Sequence, residues 1–348
     1  MTPSDKPEAP RRSLPARLAR TWGIPLVLGT LIALVWMKYV SPTNGSAEFA
    51  DVPKPSAVNG DRAYGYLKKI CEIGPRMAGT EANTRQRNLV AAHFKSMGGT
   101  VHEQKFASRH PLTGKRVDMV NLVGSWFPER TERVVLGAHY DTRPFPDRDP
   151  DPANRRKPFI GANDGASGVA LLMEIAHHLK ESPTPWGVDL VLFDGEELVY
   201  ESDEGERRGD YFLGSKEFAR QYKAESKRGK MRYLAGFVLD MVGGKELTIP
   251  VEPMSQKLAG NLVREVWGIA DRLNSRAFQQ NLGREVLDDH LPLNDARIPT
   301  IDIIDFEFPY WHTANDVPEE CSGKSLAEVG RVMTAWLNQP RPTKTPKR

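Results

Sequence analysis

Short apolar runs at 133–138, 188–193, 234–239 and 298–304 constrain this chain more than anything else in it. Each is brief and rich in Val, Ile, Leu or Phe. Longer segments with apolar residues at helical spacing lie between them, at 166–179, 213–222 and 255–273. Runs of this kind read as buried strands, and strands alternating with helices fold into an α/β sandwich around a mostly parallel sheet. Upstream, the pattern predicts helices over 61–70 and 81–97 and strands over 100–106 and 117–124, and a last helix is expected over 325–337.

In an open α/β sheet, sites form beyond the carboxyl ends of the strands. His139 and Asp141 follow the first run, the pair Glu196 and Glu197 closes the second, and Asp240 ends the third. Two acids at the end of an apolar strand are several kcal/mol unfavourable to bury without partners. A zinc ion, which accepts histidine nitrogen and carboxylate oxygen together, would offset that penalty. Further donors of the right type are Asp164, in the Gly-rich turn at 161–168, and His312, beside Trp311. Each residue also has a plainer reading. His139 could be satisfied within a loop, or be a ligand oriented by Asp141. Asn163 or Asp164 could cap the following helix, Asp240 could be a polar strand end, and His312 could pack on Trp311. His93, His102 and His110 read as surface residues, His177 and His178 as favourable charges at a helix end, and nothing local makes His290 a ligand.

Composition narrows the rest. With 348 residues, 39% of them hydrophobic, the chain can bury one large domain. A formal net charge of +3 is too small for a nucleic-acid footprint. The stretches 143–157 and 201–210 are dense in both signs and poor in apolar residues, so they read as solvated loops. Cys71 and Cys321 fit no zinc-knuckle spacing, and whether they pair is open. At the N-terminus Arg11, Arg12, Arg17 and Arg20 precede the apolar segment 22–37. That order predicts a basic cytoplasmic tail over 1–20, a transmembrane signal-anchor helix over 21–40, and everything beyond it outside the cytoplasm. Cleavage as a signal peptide, giving a secreted protein, is the alternative. A Pro- and Ser-rich linker at 41–58, a catalytic domain at 59–340 and a basic tail at 341–348 complete the organisation.

Taken in order, GAHYDT at 137–142, GANDGASG at 161–168, DGEE at 194–197, LGS at 213–215 and WHT at 311–313 resemble the zinc-dependent family that unites bacterial leucyl-type aminopeptidases with animal-type glutaminyl cyclases. The resemblance spans 60–338. It implies a three-layer α/β/α sandwich with a mixed, mostly parallel central sheet. It also implies that Asp164, Glu197 and His312 hold zinc and that Glu196 is the general acid/base. His139 and Asp240 match the positions that hold a second metal in the aminopeptidases. The cyclases keep those two residue types with one zinc.

Four features are similar to the cyclase branch: the FDGEE run ending at Glu197, Asp210 four positions ahead of Gly214, the Asp288-Asp289-His290 run, and Trp311 directly before His312. Two depart from it. The tryptophan that cyclases place shortly after the glutamate pair is missing, with Ser202 and charged neighbours in that stretch. The cyclase histidine on the strand 298–304 is Asp302 here. The expectation is a zinc-dependent, monomeric glutaminyl-peptide cyclotransferase that acts on peptide or protein N-termini with one zinc ion. Glu196, Asp240 and Asp288 would be catalytic, and Trp311 would lie against the substrate. A di-zinc aminopeptidase and a catalytically silent ectodomain that binds peptide N-termini are the alternatives.

Overall fold

The computed structural model describes residues 54–201, 205–229 and 231–340. The expected signal-anchor over 21–40, the tails at 1–20 and 341–348 and most of the linker lie outside the described residues. Among the described residues no helix is long and apolar enough to cross a membrane.

The elements run α1 (Gly60–Cys71), α2 (Glu81–Ser96), β1 (Thr100–Arg109), β2 (Arg116–Trp126), β3 (Glu132–His139), α3 (Ser167–Leu179), β4 (Gly187–Phe193), β5 (Tyr200–Glu201), β6 (Arg207–Arg208), α4 (Leu213–Ser226), β7 (Arg232–Asp240), β8 (Ile249–Val251), α5 (Pro253–Arg272), β9 (Phe278–Leu282), α6 (His290–Asp295), β10 (Thr300–Ile304) and α7 (Gly323–Leu337). Six strands form one mixed sheet in the order β1-β2-β4-β3-β7-β10. Strands β4, β3, β7 and β10 are parallel, and β2 is antiparallel to both of its neighbours.

Alternation along the strands explains why both faces are covered. Val134, Leu136 and Ala138 of β3 join the larger core with α1, α2, α3, α5 and α7. Val135, with Val191 and Phe193 of β4, faces the smaller core under α4 and α6. The registers keep the carboxyl ends of the central strands level: His139 pairs with Phe193, and Asp240 pairs with Ile304. The chain leaves β3 to one side for β4 and later returns to its other side as β7. That reversal opens a crevice at the carboxyl edge. At Gly168 a Cβ would lie 2.1 Å from the carbonyl oxygen of Leu239. The missing side chain lets the start of α3 press against the end of β7, close to Asp240.

Every main strand and helix read from the sequence is present. The last strand begins at Thr300, because Pro299 has no N–H to give to the ladder. The short pairs β5–β6 and β8–β9 and the helix α6 carry too few residues for a periodic signal. The charged stretch 143–157 is not simply a solvated loop: Arg143 and Asp149 are buried. Cys71 and Cys321 are both buried free thiols.

Candidate active site

Glu196 and Glu197 leave β4 through Gly195, whose φ of 74° a side chain would resist. Asp164 comes from the loop ahead of α3. His312 comes from the loop after β10 and itself has a left-handed φ of 54°. Non-glycine residues held there concentrate at functional sites. These loops meet over the crevice. His312 Nε2 lies 3.1 Å from Glu197 Oε1 and 3.3 Å from Asp164 Oδ2. His139 Nε2 lies 3.1 Å from Asp164 Oδ1 and 3.1 Å from Asp240 Oδ1. The donor atoms of Asp164, Glu197 and His312 all fall within 4.8 Å of one another, and so do those of His139, Asp164 and Asp240. Asp164 thus belongs to both sets.

The donor chemistry fits a divalent cation. Buried carboxylates outnumber the positive groups among them, and Asp164 Oδ2 is buried without a hydrogen-bond partner. Without a metal, the imidazoles carry the charge. Burial opposes this at His312, but Glu197, Asp147 and Asp164 outweigh it and push the ring up to about 10. His139 is also raised against the effect of burial, by Asp240 and Asp164. Asp164, which burial alone would raise, is driven far below the usual carboxylate range by the same two rings. A nitrogen- and oxygen-seeking ion such as zinc would displace those protons.

Two further carboxylates hold the backbone of the loops that carry the candidate ligands. Asp141 accepts the N–H groups of Glu196 and Glu197, each at 3.0 Å. Asp316 accepts those of Asn163 at 2.7 Å and Asp164 at 3.0 Å. Burial pushes both acids up to about 7. Asp141 therefore orients the glutamate pair with its side chain, and it is its backbone carbonyl that lies 3.2 Å from His139 Nδ1. The capping role open to Asn163 and Asp164 is not taken either. Helix α3 has no side-chain cap, and Asn163 Oδ1 accepts the N–H of Gly243 at 2.8 Å.

The glutamate pair is split electrostatically. Burial, then the charge of Glu197, pushes Glu196 well above its ordinary value. Glu197 resists the same burial because Arg143 and His312 hold it down at about 2. Two adjacent carboxyls with opposite shifts can divide proton handling from anionic binding. Beyond Glu196, burial raises Asp240 to about 7 and raises Asp288 as well. Asp302 is raised further, by burial and then by Asp288. His290 is fully buried beside them, its Nε2 3.4 Å from Glu252 and its Nδ1 3.6 Å from Asp302. Its donors fall within 4.8 Å of those of Asp288 and Asp302. It is legible in the sequence as the end of the Asp288-Asp289-His290 run, though nothing local makes it a ligand.

A cleft of about 370 Å³ reaches this cluster, lined by Glu196, Asp240, Asp288, Tyr211, Phe306 and Trp311 among others. Trp311 stacks on His312 with ring centroids 4.1 Å apart and touches Phe306 at 4.7 Å. Asp210 and Phe212 also line this cleft. Ser202 lies outside the described residues. A larger hollow of about 640 Å³, between Trp186 and Trp336, sits at the amino ends of the strands and contains none of the site residues.

Residues 121–337 match the model of peptidase family M28. The chain belongs to peptidase family M28. This M28 chain is 26% identical over 306 residues to a glutaminyl-peptide cyclotransferase of Drosophila melanogaster, covering 77% of this chain and 82% of that protein. Among solved structures it is similar to the glutaminyl cyclase of Fimbriiglobus ruber, with 40% identity, a TM-score of 0.79, and 82% and 96% of the two chains covered. It is also similar to a Bacteroides thetaiotaomicron structure described as a leucine aminopeptidase precursor, with 32% identity, a TM-score of 0.75, and 84% and 99% covered.

Proposed function

We propose that this M28 chain is a zinc-dependent glutaminyl-peptide cyclotransferase that closes the N-terminal glutamine of peptides or proteins to pyroglutamate and releases ammonia. The observation that carries this reading is the convergence of the Asp164, Glu197 and His312 donors with the buried carboxyl of Glu196 next to them, in the cleft lined by Trp311. Those three residues would hold one zinc ion. Bound there, zinc supplies a Lewis acid for the γ-amide oxygen of the glutamine.

Trp311 packs against the glutamine side chain and sets it in the cleft. The α-amine attacks the γ-carbonyl carbon, the new C–N bond closes the ring, and the bond to the amide nitrogen breaks. Glu196 takes the proton from the attacking amine and gives it to the departing nitrogen, which leaves as ammonia. Asp240 and Asp288 hold the amide nitrogen by accepting hydrogen bonds from its N–H groups, or keep Glu196 in place. The enzyme works as a monomer. The segment 21–40 anchors it with residues 59–340 outside the cytoplasm, a reading supported by the arginines that precede the segment.

The second donor set, His139, Asp164 and Asp240, favours one other reading, a di-zinc aminopeptidase. The test measures ammonia release from Gln-initiated peptides and amino-acid release from Leu-initiated ones. Ammonia without leucine is the expected result, and free leucine without ammonia would overturn it. Zinc uptake with turnover of neither substrate would leave only a peptide-binding ectodomain.

A further inference from the structure

We infer that Arg143 is a positioning residue that leaves Glu197 a single oxygen for the metal and ties that ligand to His312 through Asp147; the inference rests on the zinc reading above. The Arg143 side chain is 1% exposed. Its Nη1 donates to Glu197 Oε2 at 2.6 Å and to the Tyr211 hydroxyl at 3.2 Å. Its Nε donates to Asp147 Oδ2 at 2.8 Å, and its Nη2 lies 2.7 Å from the same oxygen. The other Asp147 oxygen faces His312 Nδ1 at 3.5 Å. Both facing atoms are buried and neither has a hydrogen-bond partner, so their approach is an ion-pair contact and not a hydrogen bond.

A carboxylate can meet a metal through one oxygen or two. Here Glu197 Oε2 is engaged by a charge-assisted bond, the stronger kind. Only Oε1 points toward His312 Nε2 and the shared donor set. The chain Glu197–Arg143–Asp147–His312 therefore closes behind two of the three ligands. The rest of the loop reinforces it. The Arg148 N–H donates to the His312 carbonyl at 3.1 Å, and Asp149 accepts the N–H of Ala314 at 2.9 Å. Together these bonds hold His312 in its left-handed conformation. Bonding Glu197 and Asp147 at once requires the forked, planar guanidinium, which lysine cannot reproduce.

The test uses the full chain loaded with cobalt(II) in place of zinc, and zinc transfer to a competing chelator. In Arg143→Met the visible cobalt absorption should lose intensity as a second carboxylate oxygen enters, and zinc should be given up about 10- to 100-fold more readily. Arg143→Lys should recover part of the zinc retention but not the parent spectrum. Asp147→Asn, which spares the bond to Glu197, should weaken zinc retention without the added-oxygen spectrum. A folded Arg143→Met with unchanged spectrum and zinc retention would overturn the inference. If that variant does not fold, a parent-like spectrum in Arg143→Lys overturns it instead. A parent protein that takes up neither metal refutes the zinc reading, which is a separate failure.

Discussion

Arg133 and Asp189, at the amino ends of β3 and β4, form a two-pronged pair at 2.7 and 2.6 Å. The hydroxyls of Tyr233 and Ser125 complete the carboxylate at 2.6 and 2.5 Å. The remaining guanidinium hydrogens reach the carbonyls of Trp126, Phe127 and Val188. At the other end of the same strands, Asp164, Asp288, Asp289, Asp302 and His290 each keep a buried atom without a partner, and acids outnumber bases. One rim buries charge in a closed network. The other buries it in an open one, which a cation and a substrate can complete. The first arrangement suits a structural role, and the second is the kind of arrangement that marks a candidate site for exchanging protons and ligands.

Substitutions at the two rims should therefore fail in opposite ways. Glu196→Gln should lower kcat for cyclisation by about 10²- to 10⁴-fold while zinc content and Tm hold steady; a fall in Tm that accounts for the lost rate would erase the distinction. Arg133→Ala leaves Asp189 buried without its partner. It should lower unfolding stability by about 3–5 kcal/mol in urea titrations, with kcat/KM of the folded fraction unchanged.

The smallest effect sharpens the contrast through pH. Because burial raises Asp302, the unfolded chain releases this proton before the folded one does as pH climbs. The group binds more protons in the folded state, so it makes stability fall with rising pH from about 3.9 upward, by at most about 1.4 kcal/mol per pH unit. Asp302→Asn removes that contribution, so its urea midpoints should decline less between about pH 5 and pH 8. An unaltered slope would mean that Asp302 is charged in the folded protein.

The strands and the glutamate pair were legible because each is a local anomaly: apolar runs, and charge at the end of one. The candidate ligand positions Asp164, Glu197 and His312 were legible as residue types, and their convergence follows from the parallel order of the strands. What stayed hidden depends on distant partners. Asp316 serves N–H groups 153 and 152 positions away, and no feature of its neighbours signals that. Arg143 looked like part of a solvated charge run, because Glu197 stands 54 positions off. His290 stood out only through the Asp288-Asp289-His290 run, with no local sign of its partners, since Glu252 and Asp302 approach it only in the folded chain.

Asp141 and Asp316 grip their neighbours by the main chain, not by the side chains proposed to do the chemistry. That grip on the main chain stays in place whatever residues 164, 196 and 197 carry at their tips, while the side chains of Asp164 and Glu197 are held separately, by His139, His312 and Arg143. A laboratory that wished to install a different ion or a different nucleophile could rewrite those tips one by one and find the scaffold still waiting underneath.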